Sequence, residues 1–574
     1  MLNTRSSREF WLLAITAVLV IGAGLGLRDP WPSDEPRFAL VAKQMVESGD
    51  WLFPHRGIEL YSDKPPMLMW LQAAFYTIFG NWRVAFLLPS LLAALGTLAC
   101  VYDLGRRLWT RRVGLYAAWT LLFALQFTFQ AKKAQIDPLV VFWITLANYG
   151  LLRHLLQGPR WGWWTLGWFA AGLGVITKGV GVIALLMLVP AGIAAARGWP
   201  GVRVHVRDAR FWLGPLALLL AICVWLVPVL AVGLSADNPE YRAYLDDILF
   251  RQTGKRYAQS WDHPQPPWYH LETMLTMWLP AVLALPWAIA PWWRRLRLRH
   301  DPRYLLPLAW WLLVVVFFTI PSGKRDVYIL PALPMFCLAL APLLPGLLRR
   351  RGVRLVVLAF AALLTLVFLG AGVAMLLGTP GFEHRLMESR GIDRDVTGPL
   401  AWVLAAVGTW GVASLLAWGR RWPERAMCSV LGAFWVLYGL VGYPLLNDSG
   451  SARGLMEAVG RRIGPQAELG LVAWKEQNLL MADRPVADFG FKLPWEQQLQ
   501  RGVAWQAQRP AQRWLLVQEP MMLSCIDRDA SEMMGVSNRR RWWLVPADAV
   551  HGGCAMSASN RLIEHKAQAD AEAE

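Results

Sequence analysis

The chain has 574 residues, 56% of them hydrophobic and 17% charged, with 34 Trp, 37 Pro and 48 Gly. Soluble globular proteins average about 25% charged residues, and disordered chains lack such an apolar and aromatic load, so both classes are excluded. The net charge of +17 would suit nucleic acid, but the arginines sit in short groups between apolar runs, as in cytoplasmic loops under the positive-inside rule.

Those groups are Arg106, Arg107, Arg111 and Arg112, then Arg294, Arg295, Arg297 and Arg299, then Arg349, Arg350 and Arg351. The chain is therefore expected to be a polytopic α-helical membrane protein with no nucleic-acid partner. Many prolines and glycines lie inside its apolar runs, where bilayer helices tolerate them.

A helix crossing a bilayer needs about 20 apolar residues. The first run, 10–27, follows Arg5 and Arg8 and is expected as a retained signal anchor, because many more spans follow it. Further spans are expected at 83–104, 113–131, 138–152, 161–176, 180–196, 211–233, 273–292, 304–320, 328–347, 353–378, 399–418 and 426–446, about thirteen in all. The stretch 65–80 is apolar but short and opens with two prolines. Counting it as interfacial or re-entrant puts every arginine group on one, cytoplasmic side.

The outer side then holds 28–82, the turns 131–137, 177–179 and 321–327, the loops 234–272 and 379–398, and everything after 446. These segments carry Asp29, Asp34, Glu35, Asp63, Asp137, Asp246 and Asp247, so the chemistry is expected to face out, away from cytoplasmic nucleotides. The region 1–446 is expected to be the membrane catalytic domain. Residues 447–574 change character: short apolar runs at 469–474, 514–517 and 542–545 alternate with a helical pattern near 494–501, as in a small α/β domain. Cys100, Cys223, Cys337 and Cys428 lie in apolar runs as small hydrophobes, whereas Cys525 and Cys554 would pair in an oxidising compartment. No internal repeat of fixed period occurs.

Two clusters stand out. The first outer loop reads DPWPSDEPRFALVAKQMVESGDWLFPHRGIELYSDKPPM, with Asp34, Glu35 and Arg37 just after the first span and Asp63 and Lys64 before the proline pair. Ionisable groups held near a membrane usually mark a site, although solvated loop charges fit the spacing equally well. The second is AKKAQIDPL, with Lys132, Lys133 and Asp137 at the mouth between two spans; Asp-Pro alone is also an ordinary helix start.

The segments DEPRFALVAKQMVESGDWLFP, YSDKPPM, KKAQIDP, TKGV at 177–180 and SGKRDVYILPALP at 322–334 together resemble GT-C membrane glycosyltransferases. Within that class the chain resembles the aminoarabinose transferase and protein O-mannosyltransferase family, over about residues 1–450. The resemblance implies an inverting pentosyltransferase with a polyprenyl-phosphate-linked sugar donor, carried by undecaprenyl phosphate. It implies a lipid A phosphate as acceptor, a protein hydroxyl or another sugar being the alternative.

By the same resemblance Asp34, Arg37 and Asp137 match catalytic positions. Lys64, Tyr328 and one of Arg251 or Arg256 match groups that hold the carrier phosphate. Asp63 stands where a metal-binding Glu is expected, which leaves a divalent metal at Asp63 open, and Phe38 stands where the family often has Tyr. The resemblance also implies the bacterial inner membrane, a site facing the periplasm, membrane lipids as surroundings, and a monomer.

Chemistry alone supports part of this. Charge grows on the bridging oxygen as a phosphate leaves, and outer-face cations beside apolar spans would stabilise it. Lys64, Arg251, Arg256, Lys324 and Arg325 are such cations, each equally readable as a snorkelling anchor. No GxxxxGK[ST] loop, HExxH or paired CxxC pattern is present, and His263 and His270 suit packing better than zinc. A transporter or flippase would place its charges within the spans and show inverted repeats, so that class is set aside.

Overall fold

The computed structural model describes residues 4–249, 264–378, 394–552 and Cys554. Among these, seven helices are long and apolar enough to cross a membrane: Trp82–Leu108, Ile136–Leu156, Ala209–Ser235, Pro302–Thr319, Arg351–Leu376, Asp395–Gly419 and Pro423–Ser451. Two bent pairs raise the number to nine, Arg111–Leu122 with Leu125–Ala131 at 70° and Tyr269–Met277 with Ala281–Arg299 at 98°.

Nine of the thirteen expected spans fall on these helices and bent pairs. The four remaining segments fall on helices that are short or less apolar. Gly181–Ala196 and Asp326–Leu340 are short, and both begin as 3-10 turns. Trp161–Lys178 is diluted by four Trp and four Gly. Helix α1 (Thr4–Gly22) starts among polar residues and stops before 27, where Gly24 and Gly26 adopt φ of 92° and 81°. Small residues bring helices together elsewhere: a Cβ on Gly150 would lie 2.9 Å from the Cα of Gly167, so Ile136–Leu156 and Trp161–Lys178 pack backbone to backbone.

Two shorter helices flank the bundle at the end that carries the first loop. Helix α2 (Glu35–Ser48) begins at Asp34, has Pro36 in its first turn and ends on Gly49 at φ 75°. Its buried face, Phe38, Val41, Ala42 and Met45, packs on Leu68, Met69 and Ala73 of α3 (Met67–Phe79). The expected short helix near 65–80 is thus α3, which pins α2 in place. Between them a two-residue hairpin pairs β1 (His55–Arg56) with β2 (Glu59–Leu60).

The C-terminal region builds a five-stranded mixed sheet of order β4-β3-β5-β7-β6. Its strands are β3 (Glu468–Val472), β4 (Val486–Asp488), β5 (Arg513–Gln518), β6 (Glu532–Ser537) and β7 (Arg540–Val545). Pairing of β3 with β4 and β5 is parallel, and β7 is antiparallel to β5 and β6. Alternation along the strands sends Val472, Leu515, Val517 and Val545 to one face, with Leu499 of helix Trp495–Ala507. Leu469, Leu471, Leu516 and Leu544 face the other side, packing with Met456 and Val459 of helix Arg453–Ile463. Leu40 of α2 joins this second core, so the sheet domain is docked on the first loop.

Cys525 and Cys554 form a disulfide with 5.2 Å between their Cα atoms, at the edge of the first core. Thiol labelling of unreduced, denatured protein should leave both unmodified. The bridge spans a separation of 29 residues, which a chain-entropy model values at about 3 to 4 kcal/mol. Cys525→Ser should accordingly lower the resistance of the sheet domain to urea, and an unchanged unfolding midpoint would refute that contribution.

Candidate active site

The site starts from how Asp34 and Glu35 divide their tasks. Glu35 is buried and takes both guanidinium nitrogens of Arg28, at 2.5 and 2.7 Å, together with the backbone N–H groups of Trp31 and Ala134 at 2.8 and 2.9 Å. Those bonds tie the first loop to the 131–137 turn. Asp34 occupies the N-cap of α2, where an aspartate commonly accepts a backbone N–H of the first turn. Here it makes no such cap bond. Its carboxylate instead accepts from Gln135 Nε2 at 3.1 Å and faces Arg37 and Arg325, each at 3.8 Å.

Gln135 leads directly into helix Ile136–Leu156, whose first turn holds Asp137. A carboxylate there is favoured by the helix N-terminus. Asp137 pairs with Lys178 Nζ at 2.5 Å, and that ammonium lies 5.3 Å from the ring centroid of Tyr328. Tyr328 belongs to the turn that begins after Arg325. Four separate segments thus bring Asp34, Asp137, Lys178, Arg325 and Tyr328 into one chain of contacts.

The sheet domain closes another side. Arg37 donates to the buried Glu476 at 3.0 Å, which also sits 3.5 Å from Arg56. Arg56 in turn faces Asp63 at 3.5 Å. Burial acts to raise the pKa of Glu476, but Arg37 and Arg56 outweigh it and hold the carboxyl below its ordinary value. Tyr61 is buried beside this group, and its hydroxyl has no hydrogen-bond partner among the described residues. Ser62 donates to Asp247, tying the 234–272 loop to the same segment.

Several expected site residues therefore meet: Asp34, Arg37 and Asp137 with Tyr328. Lys64 follows Asp63 at the entrance to α3, half-buried. Lys324 does not face Asp34. It is buried and gives its ammonium to the carbonyls of Gln265 and Ser322 at 3.0 and 3.3 Å, so the neighbouring Arg325 is the cation turned to the acid. Arg251 and Arg256 lie outside the described residues. Asp63 has Arg56 as its charged neighbour, and among the described residues no three His, Cys, Asp or Glu side chains gather as metal ligands. The donor set at Asp63 does not suit a divalent metal.

Several members escaped the sequence analysis, among them Gln135, Arg28, Arg56, Lys178 and Glu476. Lys178 lay within the TKGV segment without being singled out. Glu476 had no signal at all, being 439 residues from Arg37 in the chain.

Residues 63–227 match the family model described as dolichyl-phosphate-mannose-protein mannosyltransferase. The undecaprenyl phosphate-alpha-4-amino-4-deoxy-L-arabinose arabinosyl transferase of Pseudomonas paraeruginosa is 30% identical over 460 residues, 77% of each chain. The transferase of the same name from Erwinia tasmaniensis is 28% identical over 489 residues, 80% of this chain and 83% of the relative. The fold is similar to that of ArnT from Cupriavidus metallidurans bound to undecaprenyl phosphate, with a TM-score of 0.70 at 18% identity, over 95% of this chain and 99% of that one.

Glu476→Ala would take one of two carboxylates from the buried Arg56 and from the partly exposed Arg37, leaving Asp63 at 3.5 Å and Asp34 at 3.8 Å, and should cost at most about 3 kcal/mol, the low end for a broken buried pair. Faster thermal inactivation and earlier proteolytic release of the sheet domain should follow; wild-type rates of both would refute the role. Because the folded pKa of Glu476 is depressed, its contribution is present above the ordinary glutamate pKa and is lost as pH falls below it. The wild type should therefore lose this docking in acid, and Glu476→Gln should already lack that pH dependence.

Proposed function

The chain belongs to the undecaprenyl phosphate-aminoarabinose arabinosyl transferase family, and we propose that it carries out that transfer as an inverting glycosyltransferase. It moves 4-amino-4-deoxy-L-arabinose from undecaprenyl phosphate to a phosphate of lipid A, at the periplasmic face of the bacterial inner membrane. The observation that supports this most is Asp34, released from capping and faced by two arginines beside the Asp137–Lys178 pair.

Departure of the carrier requires breaking the bond between the anomeric carbon and a phosphate oxygen, on which charge then grows. Preorganised cations aimed at that oxygen lower the barrier. Lys64, Lys178 and Arg325 take this role together with the Tyr328 hydroxyl. Asp137 orients Lys178, Arg37 orients Asp34, and Lys324 holds the 321–327 turn that presents Arg325. Of the expected arginines, Arg251 or Arg256 adds a further contact to the carrier phosphate.

The role of Asp34 depends on the acceptor. A hydroxyl acceptor needs a base to take its proton, commonly worth about 10² to 10⁴ in rate. A phosphate is already anionic and needs none, so Asp34 instead orients its neighbours and stabilises positive charge on the sugar ring. All thirteen expected segments, including the four outside the seven-to-nine count, cross the membrane in this proposal. The parity then keeps every arginine group cytoplasmic and leaves 28–82 and 447–574 in the periplasm.

Transfer assayed in membranes at matched protein levels should vanish for Asp34→Ala and remain measurable for Asp34→Asn. Wild-type-like transfer by Asp34→Ala would end the assignment. Lys64→Ala should lose about 10² to 10³ in rate, as for removal of one oxyanion donor, while Lys64→Arg recovers part of it. Full activity of Lys64→Ala would reduce Lys64 to a membrane anchor. Reporter fusions after Gly80 and after residue 460 should both report the periplasm, and a cytoplasmic signal from the second would break the thirteen-span topology.

A further inference from the structure

A cavity lies on another flank of Asp34, between the first loop, the turn after Leu125–Ala131 and the middle of the last long helix, Pro423–Ser451. Its walls include Trp31, Ser33, Phe129, Lys133, Gln135 and Tyr438. Neither Asp137, Lys178, Arg325 nor Tyr328 lines it. Gln135 joins the two places, since it stands in the cavity wall and donates to Asp34.

Three cations border this cavity, and two are committed. Arg28 is bound to Glu35 through both nitrogens. Lys132 donates to the carbonyls of Val20, Ile21 and Ala23, at the end of α1. Lys133 is different: its ammonium rests 3.9 Å from the ring centroid of Phe129, with no carboxylate or carbonyl partner among the described residues. Burial pushes its pKa down, against the pull of Glu35, Asp326 and Asp34. A partly desolvated cation in this state gains strongly from a bound anion.

Inverting transfer needs the attacking and leaving groups on opposite faces of the anomeric carbon. Both are phosphates here, so each needs its own cation, on different sides of Asp34. The leaving side has Lys178, Arg325 and Tyr328. We propose that Lys133 and this cavity form the acceptor subsite, the ammonium binding the phosphomonoester of the lipid acceptor. The inference rests on the reaction assigned above.

The step balances without a proton. An acceptor phosphate oxygen forms the new bond to the anomeric carbon, while the bond from that carbon to the carrier's oxygen breaks and leaves its electron pair there. The acceptor passes from a monoester dianion to a diester monoanion, and the carrier makes the reverse change.

Purified full-length enzyme would be assayed with undecaprenyl-phosphate aminoarabinose as donor and lipid A as acceptor, each varied at saturating levels of the other. Lys133→Ala should raise the KM for lipid A about tenfold or more, the cost of one charge-assisted hydrogen bond. The donor KM should stay at the wild-type value, and Lys133→Arg should recover part of the loss. If Lys133→Ala does not accumulate, Lys133→Gln carries the same expectation. An unchanged KM for lipid A in an active variant overturns the subsite, and a raised donor KM assigns Lys133 to the carrier phosphate instead. A wild-type enzyme that transfers nothing to lipid A overturns the reaction itself, a result distinct from both.

Discussion

The buried ion pair between Arg28 and Glu35 is the constraint on which the site depends. Two charges removed from water cost several kcal/mol each, recovered only when geometry is good and the remaining acceptor positions are filled. Both conditions hold: Arg28 is bidentate, and Trp31 and Ala134 supply backbone donors to the same carboxylate. Successive residues at a helix start point about 100° apart. Fixing Glu35 into the interior therefore sends Asp34 elsewhere, towards Gln135 and the arginines. The family-like DEPR segment thus contains one acid that builds the loop and one that stays within reach of Gln135, Arg37 and Arg325.

The same economy explains why the sheet domain sits where it does. Asp29, one residue after Arg28, is gripped by Arg83 at 2.9 Å and by Arg453 at 2.6 and 2.8 Å, with Asn447 completing the shell. Burial would raise its pKa, but these hydrogen bonds hold the carboxyl well below the usual carboxylate range. Arg453 and Asn447 stand at the junction between the last long helix and the sheet domain, so the first loop is clamped from both parts. Glu476 and the apolar contact of Leu40 repeat that clamp further along α2. The first loop, with α2, α3 and the short hairpin inside it, becomes a firm wall because its charges are held by partners distant in sequence.

Much of this was legible in the sequence where the signal is local. Hydrophobic runs located the helices, the proline pair marked α3, and the acids of the first loop pointed to Asp34. The departures from these expectations also have local causes. Thirteen runs of similar composition became seven to nine span-length helices because glycine at positive φ, 3-10 turns and tryptophan-rich stretches shorten or dilute the rest. Lys324 and Arg325 look equivalent as letters, yet the turn sends the first into carbonyls and the second to Asp34. Glu476 was illegible because nothing in a short polar helix announces which distant arginine it will meet.

The distances also separate cations that hold the fold from those able to meet a ligand. Arg28, Arg453 and Lys132 bond their partners between 2.5 and 3.3 Å, and each has two or more acceptors. Arg325 approaches Asp34 only to 3.8 Å with its side chain 39% exposed, and Lys133 rests on an aromatic ring. A contact at 3.8 Å between partly solvated charges is worth little, about 0 to 1 kcal/mol. Turning such a group towards a phosphate therefore costs little, whereas recruiting Arg28 would cost the loop itself. In the proposed reaction, which handles two phosphates, positive charge must be near the reacting carbon and still uncommitted. Spending the strongest pairs on architecture is what leaves Arg325 and Lys133 free to supply it.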